Sequence, residues 1–127
     1  MSAPATLGRV LIVASRAPVT VRVERGEAML STSGGGLAPG LRALHNNPEN
    51  LWIGWPGDTS TLTASARTDL DGRLLRERVV ALHLPTSEMS QSYGSFASGV
   101  LWPLLHYDLD RIPADADGWT AYRRANV

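Results

Sequence analysis

The sequence has 127 residues, the size of one ordinary domain, and 43% of them are hydrophobic, which is enough to build a core. Charged residues make up 19% and the formal net charge is zero, which argues against a disordered chain and against a basic nucleic-acid binder. Because cysteine is absent, disulfides, thiolate catalysis and zinc–thiolate sites are excluded. No apolar run approaches the ~20 residues that span a bilayer, and the start lacks a secretory-signal pattern, so we expect a soluble cytoplasmic protein that binds no membrane.

Three short segments in the first third of the sequence have the pattern of strands. Arg9–Ala14 is an apolar run typical of a buried strand in a parallel sheet. Val19–Val23 alternates with the two-residue period of a strand, Arg25-Gly26 fits a turn, and Ala28–Ser31 would return, which predicts a hairpin. The glycines at 34–36 precede leucines at helical spacing, which predicts a glycine loop that opens a short helix.

The remaining segments alternate between strand and helix patterns. Leu51–Trp55 and Val79–Leu84 are candidates for buried strands, and Thr63–Arg76 between them has apolar residues at helical spacing. The segment from Pro85 to Glu88 is typical of a helix start, and Ala114–Val127 begins a charged helix inside which the chain is expected to end. This order of elements predicts an α/β fold.

Two features of the sequence suggest an anion site. Arg16 follows the first predicted strand, and ligands of open α/β sheets bind at the carboxyl ends of strands. Arg16 would then hold a phosphate with its forked guanidinium, or it is a solvated loop arginine. The glycine loop opens a helix whose N-terminal amides favour an anion, but a flexible turn fits equally well, and the GxGxxG and P-loop fingerprints are absent.

Aromatic residues indicate a second kind of site, because tryptophan and tyrosine stack on sugar rings and also offer one polar group. The candidates are Trp52, Trp55, Tyr93, Trp102 and Tyr107, and core packing is the alternative for each of them. Trp52 and Trp55 would face opposite sides of their strand, so that one belongs to the core while the other lines a site.

The three histidines do not indicate hydrolytic or metal chemistry. They are His45, His83 and His106, which are scattered and lack carboxylates at a diagnostic spacing, so that His83 and His106 are interpreted as structural. No Ser-His-Asp order, HExxH motif or pair of carboxylates stands out.

Six blocks of the sequence, taken in order, resemble trehalose-6-phosphate synthases. The blocks are Ser15-Arg16 with Pro18-Val19, SGGGL at 33–37, LWIGWPGD at 51–58, YGSF at 93–96, VLWPLLHY at 100–107 and WxxYRRAN at 119–126. The LWIGWPGD block and the VLWPLLHY block are specific, and the resemblance runs from Arg9 to the end. The sequence departs from the family at Ser15, where Asn is usual, and at Ala97-Ser98, where Ser-Asn is usual.

The resemblance implies a two-domain glycosyltransferase of the GT-B type, built from two Rossmann-like halves. Such an enzyme moves glucose from a nucleotide sugar, commonly UDP-glucose, to glucose 6-phosphate with retention at the anomeric carbon, and it uses no metal or cofactor. Residues 1–127 would be the N-terminal part of the acceptor-side domain, without the second, donor domain. We therefore expect the isolated chain to be inactive.

The resemblance also assigns roles to individual residues. Arg16 would grip the acceptor phosphate, Tyr93 and Trp102 would hold glucose 6-phosphate, and Trp55 would line the acceptor pocket. Gly35 and Gly36 would belong to the donor-binding loop. No residue of the chain is expected to be catalytic or to bind a metal.

Two alternatives remain at this point. One is a related synthase that uses another phosphorylated acceptor, such as glycerol 3-phosphate. The other is a non-catalytic, stand-alone homologue that binds a sugar phosphate or pairs with a full-length synthase. The sequence leaves open the donor nucleotide and whether the intact protein is a homo-oligomer.

Overall fold

The structure is a computed structural model that describes residues 8–33, 38–113 and 118–127. Its elements form two compact units, one that ends at His83 and one that begins at Leu84. The fold is mixed α/β, as the sequence predicted. Within the described ranges, none of the helices has the length and apolar content that crossing a bilayer requires.

The first unit combines a parallel sheet with a hairpin and two helices. Its strands are β1 (Leu11–Arg16), β2 (Val19–Glu24), β3 (Glu27–Thr32), β4 (Leu51–Trp55) and β5 (Val79–Ala81), and its helices are α1 (Ala38–His45) and α2 (Ala64–Arg76). β1, β4 and β5 form the parallel sheet in that order, and β2 pairs with β3 in the antiparallel hairpin. The carboxyl ends of the three parallel strands therefore share one edge, where ligands of α/β sheets bind.

The hairpin has the predicted strands and the predicted turn. Glu24 pairs with Glu27, so the loop between them has two residues, Arg25 and Gly26. Both loop residues have positive φ angles, 52° and 79°, as a type I′ turn requires. Glycine adopts this conformation without strain, which explains why the turn forms at this point of the sequence.

Two strands end at other residues than the sequence predicted. β1 continues past Ala14 to Arg16, because Arg16 still pairs with the end of β4. β5 stops at Ala81 instead of Leu84, and its last register pair with β4 is Ala81 with Gly54.

The core of the first unit lies between α2, the parallel sheet and the hairpin. α2 begins where the Thr63 side chain accepts a hydrogen bond from the Ala66 amide, 3.1 Å away. Leu70 and Leu74, four residues apart on one face of α2, are both fully buried. The buried members of this cluster are Ala17, Val21, Leu62, Leu70, Leu74 and Val79.

The second unit is helical in its described part. Its elements are α3 (Thr86–Met89), a π-helix (Ser90–Leu101), α4 (Trp102–Leu105), a 3-10 helix (Leu109–Arg111) and α5 (Trp119–Ala125). The helix start at Thr86 agrees with the prediction, whereas the π-helix was not predicted. The buried Phe96 ring packs on Trp119 and Tyr122 of α5, with ring centroids 5.4 and 4.9 Å apart, and these contacts join α5 to the π-helix.

α5 ends earlier than the sequence predicted. Its last helical residue is Ala125, and Asn126 follows it with non-helical backbone angles. The Asn126 side-chain amide donates to the Tyr122 carbonyl, 2.8 Å away, and satisfies one of the carbonyls that a helix end leaves without a partner.

Replacing Gly54 by alanine should destabilise the first unit. A methyl group at Gly54 would lie 2.8 Å from the backbone nitrogen of Ala17 and from the backbone carbon of Arg16, so β1 would have to move. We expect Gly54→Ala to lower the free energy of unfolding by about 1–3 kcal/mol, the usual cost of overpacking. Urea denaturation of the intact protein measures the change.

Gly72→Ala is the matched control, because a methyl group at Gly72 would meet nothing within 4 Å. In the interior of α2 this change should raise the free energy of unfolding by up to ~1 kcal/mol. Equal effects of the two alanines would contradict the close approach of β1 to β4.

Candidate functional site

Arg16 and Trp55 meet at the carboxyl edge of the parallel sheet. They are the last residues of β1 and β4 and are partners in the strand register. The guanidinium carbon of Arg16 lies over the indole ring of Trp55, 5.5 Å from its centroid. Trp55 is only 8% exposed, whereas Arg16 is exposed. The edge therefore presents a cation to solvent above an aromatic ring that holds it in place.

A β-bulge brings these two residues together. The register shifts just before Arg16 pairs with Trp55, so that β1 contains one residue more than β4 at this point. The extra residue brings the backbone of Arg16 and Ala17 close to Gly54. Gly54 leaves room for this backbone because it has no side chain. The Ala17 amide then donates to the Trp55 carbonyl at 2.9 Å and fixes the two strand ends.

Trp52 supports the same arrangement from the core. It is 1% exposed and packs with Ile12 and Ala38, which confirms that one tryptophan of this strand is a core residue. Its indole N–H donates to the Arg16 carbonyl, 3.0 Å away. The buried tryptophan therefore fixes the backbone from which the Arg16 side chain extends.

The loop that follows Trp55 is held against β2. The Val21 amide donates to the Pro56 carbonyl at 2.8 Å. Gly57 has a φ of 139°, and a methyl group there would lie 2.5 Å from the Val21 carbonyl oxygen, so only glycine fits. The Asp58 carboxylate accepts a hydrogen bond from the Ser60 amide at 2.9 Å, and this bond stabilises the turn that follows.

His83 links this loop to α2. Its Nδ1 lies 2.8 Å from the Thr59 hydroxyl, and its Nε2 lies 2.7 Å from the carboxylate of Asp71. The sequence has no carboxylate at a diagnostic spacing from His83, yet the structure brings the Asp71 carboxylate to it. Asp71 precedes His83 by 12 residues and lies on another element, so only the packing of α2 against β5 brings them together.

In the second unit, Trp102 lies beside His106. The two rings stack with centroids 4.0 Å apart, and the His106 Nδ1 lies 2.8 Å from the Trp102 carbonyl oxygen. Because a carbonyl only accepts, Nδ1 carries a proton and donates it to the Trp102 carbonyl. The spacing of four residues on α4 and its end is the sequence signal that would have indicated this pair.

A cavity of about 240 Å³ lies next to this pair. It is lined by Ser98, Gly99, Trp102, Pro103, His106, Asp108 and Arg111. Arg111 and Asp108 form an ion pair of 3.0 Å at its rim. An exposed indole face with polar groups around it suits a sugar ring, which needs one stacking surface and several hydrogen-bond partners.

The remaining residues named from the sequence have different environments. Tyr93 is 44% exposed on the π-helix, and Trp102 is 63% exposed, so core packing does not explain either of them. Gly35 and Gly36 lie outside the described residues, and their proposed place in a donor loop stays a prediction.

Comparison with known proteins places the chain among glycosyltransferases. The family model of glycosyltransferase family 20 matches residues 8–127. The UDP-forming alpha,alpha-trehalose-phosphate synthase of Candida albicans is 34% identical over 121 residues, which are 94% of this chain and 25% of that protein. A second UDP-forming alpha,alpha-trehalose-phosphate synthase, from Aspergillus fumigatus, is 36% identical over 121 residues with the same coverage.

A solved structure shares the fold. The crystal structure of alpha,alpha-trehalose 6-phosphate synthase from Burkholderia multivorans aligns with a TM-score of 0.54 and 20% sequence identity, over 94% of this chain and 24% of that one. The chain thus spans about a quarter of the length of the proteins that it matches.

Removing the indole N–H of Trp52 should weaken the strand end that carries Arg16. Trp52→Phe keeps an aromatic ring but leaves the Arg16 carbonyl without its donor, and we expect the free energy of unfolding to fall by about 1–3 kcal/mol. Trp102→Phe, at an exposed position, should change it by less than about 0.5 kcal/mol. Urea denaturation of the intact protein tests both, and a loss of the same size in both variants would contradict the role of Trp52.

Proposed function

Because the chain belongs to glycosyltransferase family 20, we propose that it is part of an alpha,alpha-trehalose-phosphate synthase, an enzyme of trehalose biosynthesis. The donor is a nucleotide glucose, with UDP-glucose favoured by the UDP-forming relatives, and the acceptor is glucose 6-phosphate. Glucose is transferred with retention at the anomeric carbon, without a metal or a cofactor. The intact protein has the GT-B architecture, and this chain supplies part of its acceptor-side Rossmann-like domain in the cytoplasm.

The pair of Arg16 and Trp55 is the observation that carries this proposal. A phosphate dianion needs a donor that remains charged, and arginine is protonated at any working pH. The Arg16 guanidinium is exposed at the sheet edge, and its central carbon lies over the Trp55 ring. Its N–H groups then point along its plane, where they form two parallel hydrogen bonds to phosphate oxygens.

The resemblance to the family assigns Tyr93 and Trp102 to glucose 6-phosphate. The Trp102 indole is exposed beside the polar cavity described above, and Tyr93 is exposed on the preceding helix. Trp102 offers a stacking face for a sugar, and Tyr93 offers a hydroxyl group. Gly35 and Gly36 are assigned to the donor.

Catalysis by such an enzyme rests on positioning and on electrostatic stabilisation of the leaving nucleotide diphosphate. The residues of this chain contribute the positioning of the acceptor, and none of them is assigned a catalytic role. We assign the groups that stabilise the leaving diphosphate to the remainder of the enzyme, since this chain spans only 25% of the length of its Candida albicans relative.

Arg16→Ala should selectively impair use of the acceptor. Hydrogen bonds to charged groups are worth roughly 1.5–3 kcal/mol, so kcat/KM for glucose 6-phosphate should fall about tenfold to a hundredfold, at ~1.4 kcal/mol per decade. Arg16→Lys should recover only part of the loss, because an ammonium cannot reproduce the fork. Steady-state kinetics of the intact protein measures both variants.

Arg22→Ala is the control, because Arg22 is an exposed arginine on β2. It should leave the kinetics unchanged. Unchanged glucose 6-phosphate kinetics in Arg16→Ala, or an effect on the nucleotide sugar alone, would reject the acceptor-phosphate role. Faster turnover of glycerol 3-phosphate than of glucose 6-phosphate by the wild type would identify the other acceptor.

The isolated 127-residue chain should not turn over substrate, because a cleft enzyme needs groups from both of its walls. Incubation with UDP-glucose and glucose 6-phosphate, followed by an assay for released UDP, tests this expectation, with the intact protein as the positive control. UDP release by the isolated chain above the buffer control would show that these residues suffice for the reaction.

A further inference from the structure

Three side chains tie α2 to the loop that follows Trp55. Asp71 of α2 accepts from His83 Nε2 at 2.7 Å, and His83 Nδ1 lies 2.8 Å from the Thr59 hydroxyl. Because the carboxylate only accepts, Nε2 carries a proton and donates it to Asp71, and Nδ1 shares a hydrogen bond with the Thr59 hydroxyl. We call these three residues the strap.

The strap connects a hydroxyl, an imidazole and a carboxylate in the same order as a catalytic triad, but it cannot act as one. Thr59 is 1% exposed, so no substrate carbonyl reaches its hydroxyl. The hydrogen bond of the buried Thr59 hydroxyl to His83 instead indicates a structural link, because a buried hydroxyl without a hydrogen bond lowers the stability of the fold.

The loop that the strap fastens begins at the candidate site. Thr59 follows Trp55 by four residues, and the Pro56 carbonyl and Gly57 are held on the opposite side by Val21. The backbone between Trp55 and Thr59 is therefore held by two contacts: the hydrogen bond of Pro56 with Val21 of the hairpin, and the hydrogen bond of Thr59 with His83.

His83 is itself anchored to the parallel sheet. The amide of the preceding residue, Leu82, donates to the Gly54 carbonyl at 2.9 Å. His83 thus lies at the same edge of the sheet as Arg16 and Trp55. It connects the loop to α2 through its hydrogen bonds with Thr59 and Asp71.

We propose that His83 is a positioning residue for the acceptor-phosphate site: the strap holds the loop after β4 so that the Trp55 ring stays beneath the Arg16 guanidinium. This inference rests on the proposed function, because the site it supports is the one assigned to glucose 6-phosphate. The strap does not touch the substrate and acts only through Trp55 and Arg16.

The test uses the intact protein with two variants that break the strap and two controls. Thr59→Val removes only the hydroxyl, and His83→Phe removes both ring nitrogens while keeping a flat ring. Asp71→Asn keeps an oxygen that accepts from Nε2. Thr68→Val removes the hydroxyl of an exposed threonine on α2 that bonds to the Ala64 carbonyl, outside the strap.

Three measurements are made on each variant: the Kd for glucose 6-phosphate by calorimetry, the steady-state constants for both substrates, and hydrogen exchange of the peptide that spans residues 54–62. Thr59→Val and His83→Phe should weaken glucose 6-phosphate binding about fivefold to tenfold, the size that loss of one buried hydrogen bond corresponds to. Their KM for glucose 6-phosphate should rise by a similar factor, with kcat and the KM for the nucleotide sugar unchanged, and the loop peptide should exchange faster.

The double variant distinguishes a single strap from two separate effects. Because both changes break the same connection, Thr59→Val with His83→Phe should bind glucose 6-phosphate no more weakly than the weaker single variant. Both controls should match the wild type. If His83→Phe does not fold, Thr59→Val and its matched Thr68→Val control decide the question.

Faster loop exchange with wild-type affinity for glucose 6-phosphate would overturn the proposal, since the strap would then be structural only. Unchanged loop exchange in Thr59→Val, or an equal loss of affinity in Thr68→Val, would also overturn it. A wild-type protein that binds no glucose 6-phosphate would instead reject the proposed function, and with it the positioning role, whatever the exchange rates show.

Discussion

The close pairing of β1 with β4 is the constraint on which the rest of the candidate site depends. The strands approach only because Gly54 has no side chain, and the extra residue of the bulge brings Arg16 level with Trp55. Hydrogen bonds from Ala17 and Trp52 then fix the two strand ends. The bonds that complete the sheet edge therefore also help to set the distance between the cation and the indole.

This arrangement explains how an exposed arginine keeps one orientation. A long side chain loses rotamer freedom when it binds a ligand, and that loss reduces affinity. Because Arg16 already lies over the Trp55 ring, part of this loss of rotamer freedom occurs before a ligand binds. In the second unit, His106 stacks on Trp102 and fixes an exposed indole in a comparable way. Each unit thus holds an exposed side chain that we propose binds the acceptor against a neighbouring ring.

Much of the fold follows from local sequence, whereas the connections of the site do not. The hairpin, β4 and α2 were predicted because turn residues and apolar periodicity act over a few neighbouring positions. The bulge depends on which strand lies alongside β1, and the contact of Asp71 with His83 depends on how α2 packs. Neither contact can be predicted from a short stretch of sequence. The position of Arg16 at the end of the first strand was therefore predicted, whereas the contacts that hold the site around it were not.

The structure of the intact protein bound to glucose 6-phosphate, determined by crystallography, tests the central claim most directly. In that complex the phosphate should lie within hydrogen-bonding distance of the Arg16 guanidinium, and the guanidinium should still lie over the Trp55 ring. A phosphate bound to other residues, with the Arg16 side chain in solvent, would contradict the assignment of this sheet edge to the acceptor.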